Sequence, residues 1–155
     1  MSGEIDAKLT EIGLSLPEAA APVGNYVPTT ITGNLIFTSG QITLDSGTIA
    51  FIGKLGQEFS VEQGYAAARL CAINVIAQVK AALGGDLDRV VRVVKVVGFV
   101  NCLPDFTDQP AVINGASDLF VQVFGDKGKH ARSAVGVASL PRGVAAEVEA
   151  IIEFR

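Results

Sequence analysis

The sequence predicts an α+β fold, with one sheet and two main helices packed on the same face of it. Three observations carry this expectation. Two stretches with an apolar period of 3.6 residues stand between runs of strand-like residues. The longest of those runs, Val90 to Cys102, is apolar at both odd and even positions, so both of its faces need cover. The elements succeed one another as β–β–α–β–α–β–β. The 155 residues suffice for one core, and no repeat, linker or low-complexity tract divides them, so one domain spanning 1–155 is expected.

Taken in order, Ile5 to Gly13 reads as a short amphipathic helix, with Ile5, Leu9 and Ile12 on one side and Gly13 as its end. Pro17 and Pro22 punctuate an extended arm after it. Asn34 to Ser39 is a strand that follows the Gly33-Asn34 turn, and Ile49 to Ile52 is its returning hairpin strand across Asp45-Ser46-Gly47. Ser60-Val61-Glu62-Gln63 is a capping box. The helix it opens runs to about Leu83, with Ala68, Cys71, Ala72, Val75, Ile76 and Val79 as its apolar stripe and Gly84-Gly85 as its stop. In Val90 to Cys102, strict alternation puts Val91, Val93, Val97 and Phe99 on one face and Val90, Val94, Val96 and Val100 on the other. The second helix covers about Pro110 to Phe124, with Val112, Ala116, Leu119, Phe120 and Val123 inward. Strands carrying Arg132 and Glu147 complete the sheet. Helices can cover one side of it, and a neighbouring subunit is expected on the other.

Composition bounds the function. Hydrophobic residues make up 49% and charged residues 18%, which is apolar for a small monomer and points to an oligomer. No apolar run approaches the ~18 residues of a membrane span. The first residues, MSGEIDAKLTEIG, carry charges where a signal peptide needs an apolar stretch. Cys71 and Cys102 fit a reducing compartment, so a cytoplasmic protein is the simplest reading. The net charge of −4 and the scattered basic residues, without interleaved aromatics, argue against nucleic-acid binding. No zinc, calcium or phosphate-loop pattern is present, so no metal site is expected.

The most informative stretch is ARSAVGVASLPRGVAAEVE, Ala131 to Glu149. Two apolar strands there can hold a guanidinium and a carboxylate rigidly near a cavity. An arginine fork matches a carboxylate with two parallel hydrogen bonds, and a glutamate can orient a water or move a proton. Three further blocks stand in order: GNYVPTTITGNLIFTSGQI from Gly24 to Ile42, the Asn74 helix followed by Asp86 to Val100, and Val112-Ile113-Asn114 leading into Ser117 to Phe120. In order and spacing the four blocks resemble the Rid/YjgF family of small enamine/imine deaminases, also labelled L-PSP endoribonuclease. The resemblance covers most of Gly24 to Glu153.

It implies a chorismate-mutase-like subunit with a mixed β-sheet, assembled as a homotrimer with sites between subunits. Residues 1–23, with the short helix and the extended arm, then look like an N-terminal extension. It implies that Arg132 clamps a substrate carboxylate and that Glu147 orients the attacking water. Tyr26, Ser39, Gly40 and Asn114 match the family's cleft residues, and Ala134 its backbone contact. Read alone, these residues have plainer meanings: Arg132 an ion-paired strand start, Glu147 a solvated strand face, Tyr26 a packing residue, Asn114 a bonded helix residue. Ser39 is not a triad nucleophile, because the only histidine, His130, is a loop residue read as exposed and inert. Cys71 reads as packing.

The expected function is hydrolytic deamination of small 2-imino acids and their enamines to 2-keto acids and ammonia, without cofactor. A trimer that binds small carboxylates without turnover is the alternative, and an endoribonuclease is the weaker third. Ala134 stands where the family often has cysteine, Gly136 replaces a larger residue, and Phe106 to Ile113 is longer than the family segment.

Overall fold

The computed structural model describes residues 3–155. Helix α1, Glu4–Glu11, is short and depends on tertiary anchors. Its first backbone N–H groups, on Glu4 and Ile5, donate to the two oxygens of Asp88 at 2.9 Å each, so a residue 84 positions away caps it. Lys80 ties it again through Asp6 at 2.9 Å.

Strands β1, Thr29–Thr32, and β2, Leu35–Thr38, form a hairpin. This corrects the expected pairing. The partner of the Asn34 to Ser39 strand precedes it, because Gly33 at φ 56° lets the chain reverse at once. The Ile49 to Ile52 segment instead contributes β4, Thr48–Ile49, which pairs only with β3, Leu44–Asp45, in a small separate ladder. Phe51, at φ 51°, breaks the extended run there.

Helix α2, Val61–Ala82, has both halves of the Ser60–Gln63 capping box and buries the whole predicted stripe. Strand β5, Val90–Asn101, leads into α3, Gln109–Phe124, then β6, Ala131–Val137, and β7, Ala146–Phe154. The main sheet is mixed, in the order β1-β2-β7-β5-β6, with β5 and β6 parallel and the other pairs antiparallel. Substituting β1 for the misassigned strand leaves the expected element order intact.

One face of the sheet packs against α2 and α3. Ile36, Val96, Val100, Ala146, Val148 and Ile152 are buried there. The other face carries Phe37, Val97, Phe99, Val135, Glu147, Glu149 and Ile151; neither α2 nor α3 packs on it, and Phe37 is 39% and Val135 44% exposed. Strict alternation misplaced Val93 and Val94. Register shifts in the β5–β7 ladder, between Val90 and Arg92 and again between Val93 and Lys95, turn buried Val93 to the helices and Val94 away.

Candidate active site

Arg132 stands on β6, one of the two edge strands of the sheet. Its register partner is Val96, which is fully buried under the helices, so the Arg132 side chain projects to the helix face. Helix α3 meets it there. Asn114 Oδ1 accepts from Nη1 at 2.8 Å, and Ser117 Oγ accepts from the same nitrogen at 3.1 Å. The spacing of three residues puts Asn114 and Ser117 on one helical face. Both protons of Nη1 are thereby engaged. Nε and Nη2 meet no acceptor among the described residues, which leaves one planar edge of the guanidinium for a ligand carboxylate.

His130 belongs to this group, contrary to its reading as an exposed loop residue. It is half-buried, edge-on to Phe120 at 5.9 Å. Its Nδ1 lies 2.6 Å from the Gly128 carbonyl and its Nε2 lies 2.9 Å from Ser117 Oγ. Burial lowers its pKa below the usual histidine value, the bond to Gly128 pulls the other way, and the charge of Arg132 adds to the lowering. Ala134 lies two residues beyond Arg132 on the same face, opposite Gly98, and is partly buried against the core.

Glu147 lies on β7, opposite Phe99, and so on the face away from the helices. Its carboxylate rests against Gly40 so closely that a Cβ at position 40 would overlap it. Glycine is what permits the contact. Gln41 fixes this segment by exchanging backbone bonds with Val148, at 2.8 and 3.0 Å. Ser39 holds the preceding arm: its Oγ donates to the Val27 carbonyl at 2.7 Å and its N–H to Pro28 at 2.8 Å. With its hydroxyl committed to a carbonyl, Ser39 anchors the arm. Tyr26 and Gly40 line one cavity of about 170 Å³, together with Gln41, Ile42, Gln78 and Arg142 among others. Burial raises the pKa of Glu147, and the neighbouring charge of Glu149 raises it further.

Arg132 and Glu147 do not converge within one chain. Val96 and Phe99, their partners on β5, are three residues apart and face opposite ways. Two strand spacings separate β7 from β6, about 10 Å, and three residues of rise add about 10 Å along the sheet. The predicted site residues fall into two groups: Asn114, Arg132 and Ala134 by the outer strand, and Tyr26, Ser39, Gly40 and Glu147 by the arm. Ser117 and His130, absent from the predicted set, join the first. The helical spacing of Asn114 and Ser117 was the available signal for the serine; nothing in the sequence placed His130 beside it. Among the described residues no group of histidine, cysteine, aspartate or glutamate side chains could hold a metal ion. Cys71 is fully buried, with its thiol pKa pushed up by desolvation and then by the Glu147 charge, and it is inert packing.

Residues 6–149 match a family model described as "YjgF/chorismate_mutase-like, putative endoribonuclease". Protein TCP17 of Trypanosoma cruzi is 51% identical over 99% of this chain and 96% of its own length. A 2-iminobutanoate/2-iminopropanoate deaminase of Salmonella typhimurium is 36% identical, over 89% of this chain and 94% of its own. The crystal structure of Atu1372 from Agrobacterium tumefaciens, a protein of unknown function, superposes with a TM-score of 0.91 at 50% identity, covering 97% of this chain and 92% of that one. The chain belongs to the YjgF family.

Proposed function

We propose that this YjgF-family chain is a cofactor-independent deaminase of small 2-imino acids and their enamines, acting as a homotrimer. The observation that carries the reading is the half-engaged guanidinium of Arg132, bonded through Nη1 alone and presenting its Nε–Nη2 edge. In the trimer, Arg132 of one chain and Glu147 of the next would border a common cleft. The unpaired edge of β6 and the helix-free sheet face with Phe37, Phe99 and Val135 favour a second copy there. The buried, unpaired cysteines suit the cytoplasm.

Arg132 would hold the substrate carboxylate in two parallel hydrogen bonds. Glu147 would accept a proton from a water as its oxygen adds to the imine carbon. The carbon–nitrogen π pair moves to nitrogen, which takes up a proton. The carbinolamine then passes its hydroxyl proton to the amine nitrogen, the C–N bond breaks as the C=O bond forms, and ammonia and a 2-keto acid result. Water is the only co-reactant. A half-buried carboxylate with a raised pKa holds a proton more readily than an ordinary glutamate, which suits this transfer.

The separation of Arg132 from Glu147 within one chain favours a second reading: the Arg132 group alone could bind small carboxylates without turnover. An endoribonuclease is the weaker reading: of the twelve basic side chains, Lys8, Lys80, Arg92 and Lys129 are already paired with acids, and the net charge is −4. The test generates a 2-imino acid in situ with an amino-acid oxidase and follows release of the keto acid. Wild type should exceed the spontaneous rate, Arg132→Ala should lose nearly all of the acceleration, and Glu147→Gln should bind keto acid but turn over slowly. Binding through Arg132 with no acceleration would establish the second reading. Turnover and binding both intact in Arg132→Ala would remove the site.

A further inference from the structure

A chain of three hydrogen bonds runs behind Arg132, and the proposed chemistry makes no use of it. It leads from the Gly128 carbonyl through His130 and Ser117 to the Nη1 of Arg132. Its direction follows from what each atom can do. A carbonyl only accepts, so Nδ1 of His130 carries the ring proton. Nε2 of the neutral ring is then an acceptor and takes the hydroxyl proton of Ser117. With that proton committed, the lone pairs of Ser117 Oγ are turned to Arg132. Gly128 is buried, and a Cβ there would overlap the Phe120 backbone, so the terminal carbonyl is fixed by close packing on α3.

We infer that His130 is a positioning residue for Arg132: acting through Ser117, the neutral imidazole fixes the guanidinium so that its Nε–Nη2 edge faces the ligand carboxylate. The inference rests on the reading that Arg132 receives a carboxylate. Asn114 alone would leave the planar guanidinium free to swing about one hydrogen bond; the second acceptor, on the same helical face, fixes its plane. A neutral ring is also what its surroundings permit. The charged group that faces it is Arg132. Lys129 and Lys127 flank it in the preceding turn, with Asp126 paired to Lys129 at 3.3 Å. Lys95 stands opposite Ala131 on β5, and the one acid nearby on α3, Asp118, is taken by the Tyr65 hydroxyl at 2.7 Å. An imidazolium would add a second cation beside the guanidinium, and the ring's own two bonds go to a hydroxyl and a carbonyl rather than to an acid.

Two measurements on the full chain test this. His130 is the sole histidine, so one pair of imidazole nitrogen resonances reports on it. At neutral pH these should show the neutral tautomer protonated at Nδ1, and they should shift when pyruvate is added. A ring protonated at Nε2, or charged at neutral pH, overturns the inference. The second measurement is calorimetric titration with pyruvate. His130→Phe keeps ring size but offers no acceptor and should bind roughly tenfold more weakly. His130→Gln, whose amide oxygen can accept from Ser117, should regain most of the loss. The double variant with Ser117→Ala should bind no worse than Ser117→Ala alone, since both act through one bond. Losses that multiply, or a folded His130→Phe that binds like wild type, overturn the inference; if His130→Phe does not fold, His130→Gln and Ser117→Ala carry the comparison. Arg132→Ala separates the two readings. Unchanged pyruvate binding there removes the carboxylate reading itself, whereas loss there beside indifference at His130 removes only the positioning role.

Discussion

Arg132 and Glu147 project from opposite faces of one sheet, with β5 between their strands. A site that needs both must draw them from different copies of the chain, and that has a clean consequence. In the proposed homotrimer, Arg132→Ala and Glu147→Gln should each, alone, lose most of the wild-type activity. When the two are unfolded together in equal amounts and refolded, about one site in four should receive an intact Arg132 from one chain and an intact Glu147 from its neighbour. Imine hydrolysis should return to about that fraction of wild type. A mixture that stays inactive while forming mixed trimers would show that the two residues do not share a cleft.

The second prediction concerns the acid limb of the pH–rate profile. Desolvation and then the charge of Glu149 hold the pKa of Glu147 above the ordinary glutamate value. A base with a raised pKa is protonated, and so disabled, at a higher pH than usual. The rate should therefore fall on acidification earlier than a solvent-exposed glutamate would dictate. Glu149→Gln removes the like charge, lowers the Glu147 pKa and should move the limb to lower pH without abolishing activity. A limb that stays in place would mean that the two carboxylates do not sense each other.

The parts of the fold legible in the sequence are those fixed by periodic burial. The stripe of α2, the Ser60–Gln63 box and the inward residues of α3 follow from one strong local rule each, and all are found. What alternation misses is where the period breaks. The shifts near Arg92 and Val94 swap the faces of Val93 and Val94, and no residue type announces them. The hairpin partner of β2 was hidden for another reason: Thr29 to Thr32 is polar and mostly exposed, so it carries no apolar signal, whereas Ile49 to Ile52 does. The family blocks singled out residues that the structure sorts into two clusters, but sequence order cannot say which face each occupies. The sequence does not announce the burial of His130, because it comes from packing on Phe120 and Gly128, contacts made by a turn rather than by any pattern.

Two glycines in the core make a graded stability prediction. A Cβ at Gly98 would lie 2.5–2.6 Å from Cδ1, Cγ1 and Cγ2 of Ile113, so that one side chain would have to shift as a whole, with no backbone in the way. A Cβ at Gly115 would run into the backbone carbonyl of Tyr65, where α2 and α3 touch. Gly98→Ala should cost about 1–3 kcal/mol by overpacking, measured as a shift of the urea midpoint. Gly115→Ala should cost more, because two helix backbones must separate and the packing along them goes too. The reverse order would mean that the helices, not the isoleucine, are the softer element.

The last prediction follows His130 through its titration. Burial lowers its pKa in the folded chain relative to the usual value, so between the two values the unfolded chain binds more protons than the folded one. Stability then rises with pH across that window. Above the ordinary histidine value both states are neutral and no penalty is felt. As the pH falls below it, the folded chain loses stability progressively until the buried ring itself becomes protonated. Replacing the ring by an uncharged acceptor removes this slope. His130→Gln should match wild type in its melting temperature at pH 8 to within the cost of the substitution, and the gap should shift in favour of the variant as the pH is lowered through 6 toward 5. Melting curves for the two proteins at pH 5, 6, 7 and 8 check it. A gap that holds constant over that range would mean that His130 titrates alike in the folded and unfolded chains, which a half-buried ring beside an arginine should not do.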